Sequence, residues 1–172
     1  ITQLNSASIG SFIDSEKIDL LVNNAGFLIN KPFEEINYDD YKQVMDTNFW
    51  GVFNLSQLLL SRLSNAKGHI LNISSMGGVM NSSKFPGLSL YSSSKGAVSI
   101  LTECLHEELK PHNIRVNALA LGAVQTEMLS KAFPNYNAET SPNLMAKFID
   151  SIIINGDKLL NGQIIKVSRS NP

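Results

Sequence analysis

Tyr91 and Lys95 stand four residues apart in the run Y-S-S-S-K. On a helix that interval puts both side chains on one face. A cation beside a phenol favours the phenolate and lowers a pKa that starts at about 10. Such a pair can give and take a proton near neutral pH. An exposed Tyr lying over a Lys stem has the same spacing, so the pair needs company before it means chemistry. Three other groups offer it. Asn23-Asn24-Ala25-Gly26 combines amide donors and acceptors with a Gly that lets backbone approach a ligand, and it also suits a plain strand-to-loop turn. Ser74-Ser75 precedes Met76-Gly77-Gly78, where the hydroxyls can cap or turn the chain. Asn48 falls within an apolar helical stripe. Buried there, it must satisfy its amide or incur a cost of about 1–3 kcal/mol. It either bonds backbone or orders a water near a site, and periodicity does not choose.

The elements that must position these residues are legible. Ile18–Val22, His69–Ser74, Ile114–Leu121 and Gln163–Ser168 read as strands without clean alternation, which suits a parallel sheet covered on both faces. Asn37 and Asp40 form a capping pair before a helix over 39–64. Its apolar repeat runs through Tyr41, Val44, Met45, Asn48, Phe49, Val52, Phe53, Ser56, Leu59, Leu60 and Leu63. A second helix runs from about Tyr91 to Leu109, with Val98, Leu101, Cys104, Leu105 and Leu109 on one stripe and Pro111 beyond its end. That stripe makes Cys104 a packed apolar residue. A third helix, Asn143 to Ile154, ends at Asn155-Gly156, which suits a left-handed cap. Phe133 to Pro142 is a loop. Strand and helix therefore alternate as in a doubly wound, mainly parallel α/β sheet, which binds ligands at the carboxyl ends of its strands. Those ends follow Val22, Ser74 and Leu121.

Together the motifs resemble the short-chain dehydrogenase/reductase family. The likeness runs from Ile18 to the end of the chain: N-N-A-G at 23–26, Asn48 within DTNFWGVF, NISS at 72–75, Y-S-S-S-K at 91–95, Asn117, and Gly122 with Thr126 four residues on. The resemblance implies a Rossmann-like fold and hydride transfer between NAD or NADP and a carbonyl or secondary alcohol. It makes Tyr91 the general acid or base, and Lys95 the group that lowers its pKa and holds the nicotinamide ribose. Ser75, the second of its pair, becomes the hydrogen-bond donor to the substrate oxygen, and Asn48 the anchor of a proton-relaying water. It places Asn24, Ala25 and Gly26 along the cofactor, Val124 and Thr126 near its carboxamide, and implies a homodimer or homotetramer joined through helices 39–64 and 91–109.

Three departures from the family pattern are visible. The Ser75–Tyr91 interval is longer than usual, through Asn81–Ser89, and Leu121-Gly122 stands where Pro-Gly is usual. No T-G-x-x-x-G-x-G occurs, and residues 1–17 read as the tail of a helix. Residues 1–172 are thus expected to be one incomplete domain, the C-terminal portion of the family's fold, with the phosphate-binding segment belonging to the parent protein outside these residues. The rival reading is a truncated, non-catalytic interaction or regulatory subunit.

Composition narrows the alternatives. The 172 residues are 43% hydrophobic and only 17% charged, against roughly 25% charged in an average protein. The net charge of −1 provides no basic field for nucleic acid or an anionic membrane. The apolar runs fall far short of the roughly 20 residues of a membrane helix, and residues 1–20 lack the pattern of a secretory signal. One Cys and three scattered His give no disulfide and no metal-ligand spacing. A hydrolase built on Ser75 lacks a G-x-S-x-G elbow and a placed His. The expectation is a cytoplasmic chain without metal, membrane or nucleic-acid partners. Met80, Phe85, Leu88, Met128, Leu129 and Phe133 lie in loops expected to border the site, which predicts a mainly apolar small-molecule substrate.

Overall fold

The computed structural model describes Asn5, Ile9, and residues 13–156 and 159–169. All four expected strands form, within two residues of the expected ends. They are β1 (Leu20–Asn23), β2 (His69–Ser75), β3 (Arg115–Leu121) and β4 (Ile164–Val167). They lie side by side in chain order, every pair parallel. Parallel neighbours require long crossovers, and helices supply them. Between β1 and β2 come α1 (Tyr38–Met45), a π turn (Asp46–Trp50), α2 (Gly51–Leu58) and α3 (Leu60–Ala66). A single long helix, α4 (Ser89–Glu108), links β2 to β3, and α5 (Glu127–Ala132) with α6 (Pro142–Asn155) links β3 to β4.

The helices cover both faces of the sheet, as expected. On one face Leu21, Ile70 and Val116 pack against Leu59 and Leu63 of the β1–β2 crossover and Leu109 after α4. On the other, Leu71, Ile73 and Leu119 pack against Ile149, Ile152 and Ile153 of α6. Successive strand residues point to opposite faces, so β2 and β3 are buried almost throughout. Replacing the fully buried Ile70 by Ala should cost about 2–5 kcal/mol. Backbone bonds from Ile9 to Asn5 and from Ile13 to Ile9 give the described part of residues 1–17 its expected helical spacing; the rest of that stretch lies outside the described residues.

Three local expectations are corrected. The helix over 39–64 is not continuous, because the π turn and a break at Leu59 divide it. Its start is as read: Asn37 and Asp40 form a reciprocal capping box, each side chain bonded to the other's backbone N–H. Gly156 is not left-handed; its φ is −84°, and a Cβ there would lie 2.5 Å from the Ile152 carbonyl, so close approach rather than handedness demands Gly. Cys104 is exposed. The buried face of α4 runs through Ser94, Lys95, Val98, Ser99, Leu101 and Thr102, and Cys104 is turned about 200° from Thr102.

Candidate active site

A cavity of about 310 Å³ opens at the carboxyl ends of the strands. Asn24 and Gly26 after β1, Ser75 at the end of β2, Tyr91 and Lys95 on α4, and Gly122, Val124 and Thr126 after β3 all line it. A groove of about 860 Å³ lies beside it but contains none of Ser75, Tyr91 and Lys95. The smaller space is where the titratable groups converge, and convergence matters more than size.

The two serines of β2 part company. Ser74 Oγ donates to the Lys95 carbonyl at 2.9 Å and lies 3.0 Å from Ser99 Oγ, so it fastens the strand to α4. Ser75 accepts from the Gly77 N–H at 3.2 Å, and its hydroxyl acts on the Tyr91 phenol. Both serines contribute to the cavity lining, but adjacent strand residues point oppositely, so only Ser74 is spent on fastening the strand to α4.

Tyr91 and Lys95 share a face of α4, but the electrostatics differ from expectation. Burial raises the Tyr91 phenol above its ordinary value, with the Ser75 hydroxyl acting against the rise. Lys95 does not supply the expected lowering. Its Nζ donates instead to the Ile73 carbonyl at 2.8 Å, and burial brings the ammonium down to about 8.

Asn48 bonds backbone, one of the two roles its periodicity left open. Its Oδ1 accepts from the Phe27 N–H at 2.7 Å, and its Nδ2 donates to the Phe27 carbonyl at 2.8 Å and to Ser94 Oγ at 2.8 Å. Ser94 Oγ in turn donates to the Tyr91 carbonyl at 2.7 Å. The fully buried Asn48 thus ties the segment after β1 to the first turn of α4, and Gly26 is held beside the Lys95 ammonium. Asn48 sits in the π turn, where the helical bonding pattern loosens enough to carry an inward amide.

The remaining candidates divide. Ala25 lies outside the cavity and lines a separate hollow of about 110 Å³ with Thr47 and Val52. Thr126 caps α5 by accepting from the Leu129 N–H at 3.2 Å. Phe85, Leu88, Met128, Leu129 and Phe133 border the cavity, Met128 and Leu129 from α5 rather than from a loop. Met80 does not; it is 82% exposed. Sequence reasoning missed a buried polar ladder beneath the site. Asn23 Nδ2 donates to Asn72 Oδ1 at 2.8 Å, and Asn72 Nδ2 donates to Thr102 Oγ1 at 2.9 Å. The β-sheet register, which sets Asn23 opposite Asn72, was the signal that could have found it.

A family model described as short chain dehydrogenase matches residues 5–137. The chain belongs to the short-chain dehydrogenase family. Cyclopentanol dehydrogenase of Comamonas sp. is 35% identical over 116 residues, covering 67% of this chain and 45% of that protein. The 3-oxoacyl-(acyl-carrier-protein) reductase FabG of Thermotoga maritima is 31% identical over 163 residues, covering 88% of this chain and 65% of that protein. The chain of this short-chain dehydrogenase family member therefore spans less than two thirds of either relative. A solved structure of 4-hydroxyisoleucine dehydrogenase complexed with NADH superposes with a TM-score of 0.77 at 29% identity, covering 95% of this chain and 75% of that one. The parallel sheet with helices on both faces is the Rossmann-like fold of the family. No described helix is long and apolar enough to cross a membrane.

Proposed function

We propose that the protein is an NAD- or NADP-dependent oxidoreductase that interconverts a carbonyl and a secondary alcohol. The observation carrying this reading is the convergence of Ser75, Tyr91 and Lys95 on one cavity, with the Ser75 hydroxyl acting on the Tyr91 phenol.

The residues present suit the nicotinamide end of such a cofactor. Lys95 is buried, and among the described residues its ammonium, with three donors, makes one hydrogen bond, to Ile73, which leaves donors for vicinal ribose hydroxyls. Asn24, Gly26, Val124 and Thr126 would line the rest of that end. When bound, the cofactor supplies or accepts the hydride.

The chain's own residues manage the proton and the oxygen. A phenol raised by burial stays protonated at neutral pH, so Tyr91 is charged with a proton to give in the direction of carbonyl reduction. Ser75 donates to the same substrate oxygen as negative charge develops there, a pre-set donor of the oxyanion-hole kind. Lys95 then steadies the phenolate left behind. Asn48 holds the scaffold, and a water relayed through it to Lys95 belongs to the same proposal. In the full-length protein, Tyr91→Phe should lower kcat by at least about 100-fold. A kcat within a few-fold of wild type would sink the mechanism, and no turnover by wild type would favour the non-catalytic subunit.

A homodimer or homotetramer is part of the proposal. Trp50 and Phe53 stack at 5.8 Å on the helix surface with Trp50 exposed, and Ile100 is exposed on α4. A monomer by light scattering at micromolar concentration would contradict this. A cytoplasmic location is proposed with it, since Cys104 is a free, exposed thiol.

A further inference from the structure

The candidate cavity and the larger groove beside it share four lining residues, Gly77, Phe85, Leu88 and Ser92. Phe85 has the largest side chain of the four. It belongs to the 81–89 stretch, and its ring meets that of Phe133 edge-on, with centroids 5.8 Å apart and planes at 75°. Phe133 lies just beyond α5, so the contact joins the two walls of the cavity mouth.

A short strap holds those walls. Asn30 Nδ2 donates to the Ala132 carbonyl at 2.7 Å, next to Phe133. The Lys31 N–H donates to the Gly87 carbonyl at 3.0 Å, two residues from Phe85. Gly87 has φ 82°, and Asn30 Oδ1 lies where its Cβ would be, so the strap rests directly on that turn. Among the described residues, the cavity lining holds no Asp, Glu, Arg or His.

We propose that Phe85, closed against Phe133 and positioned by Asn30, is a partition that sets substrate length. It confines a compact, uncharged ketone or alcohol to the 310 Å³ cavity and keeps a long apolar tail out of the groove beyond. The inference rests on the hydride-transfer reading of the same cavity. A Phe at the boundary excludes every added methylene on its far side, and each methylene admitted or refused changes kcat/KM by about tenfold or more.

The test compares cyclohexanone with 2-decanone as substrates for the full-length protein, with NADH and NADPH. Phe85→Ala should raise the 2-decanone to cyclohexanone ratio of kcat/KM by at least about tenfold, with Phe85→Leu intermediate. Asn30→Ala should move the ratio in the same direction, through KM more than through kcat. A ratio within twofold of wild type in both Phe85 variants would overturn the partition. Binding of the neutral dye N-phenyl-1-naphthylamine, followed by fluorescence, provides an arm without turnover. Phe85→Ala should bind it several-fold more tightly, and equal affinity would overturn the partition. Failure of wild type to reduce either ketone counts against the hydride-transfer reading alone, because the dye still judges Phe85.

Discussion

Asn48 and Phe27 exchange two hydrogen bonds, side-chain amide to backbone peptide, at 2.7 and 2.8 Å. The amide stands in for a neighbouring strand and holds the chain that has just left β1. Asn48→Ala would leave the Phe27 N–H and carbonyl without their partner. We expect a loss of about 2–3 kcal/mol in urea unfolding, since each abandoned buried group costs of order 1 kcal/mol or more. A loss below about 0.5 kcal/mol would mean the segment finds other partners.

The adjacent serines should respond oppositely to the same change. Ser74→Ala removes a bond to the Lys95 carbonyl and should cost about 1 kcal/mol of stability with kcat changed only a few-fold. Ser75→Ala should leave stability within about 0.5 kcal/mol and lower kcat by about 100-fold. Equal effects on turnover would refute the division of labour.

Lys95 is brought down to about 8 by burial, whereas burial moves Tyr91 upward. As pH rises through about 8, the ammonium is lost while the phenol keeps its proton. If Lys95 acts as a cation, kcat/KM for carbonyl reduction falls above that pH. Lys95→Arg retains its charge through the range. The falling limb should therefore move to higher pH in that variant, whatever its absolute rate. A limb that stays in place assigns the titration to another group.

His69 should make the protein acid-sensitive. Burial, and then the neighbouring Arg115, lower it to about 4 from an ordinary 6.5. Its Nε2 lies 3.0 Å from the Asn117 amide nitrogen, which is also held by the Leu160 carbonyl, so the ring must accept there and stay neutral. The unfolded chain takes up a proton below about pH 6.5 that the folded one refuses. The His69 contribution is thus complete above about pH 6.5 and is lost as pH falls towards about 4, to a total of order 3 kcal/mol. Urea unfolding at pH 7 and 4.5 should show a smaller pH dependence for His69→Gln than for wild type, and equal slopes would refute the assignment.

Legibility in the sequence followed local pattern. The four strands as short apolar runs, the Asn37–Asp40 box as a local motif and the reach of α4 by its repeat each leave a mark along the chain, and each formed close to where it was read. Polar residues facing inward carry no such pattern. Asn72 and Thr102 are fully buried because they satisfy one another across an element boundary, a fact about neighbours in space. Cys104 misled for a related reason, since Ser94, Ser99 and Thr102 occupy the buried face that an apolar count would have given to it. The candidate site was legible as a set of residue types at strand ends, but not in its bonding. That Lys95 Nζ reaches a strand carbonyl depends on the separation of α4 from β2, which no spacing within Y-S-S-S-K records.

The π turn at Asp46–Trp50 bears on how the chain tolerates changes in length. Val44 and Val52 are both buried although eight residues separate them, while about seven make two turns of an α-helix. The extra residue is absorbed between them, so the flanking helices keep their faces. A deletion of one residue from 46–50 would let α1 and α2 wind as one regular helix with Val44 and Val52 still inward. The same deletion would withdraw the amide that grips Phe27. Length in this segment is therefore neutral for the helical register but not for the tie that Asn48 makes, and a one-residue deletion here should lower stability and activity together.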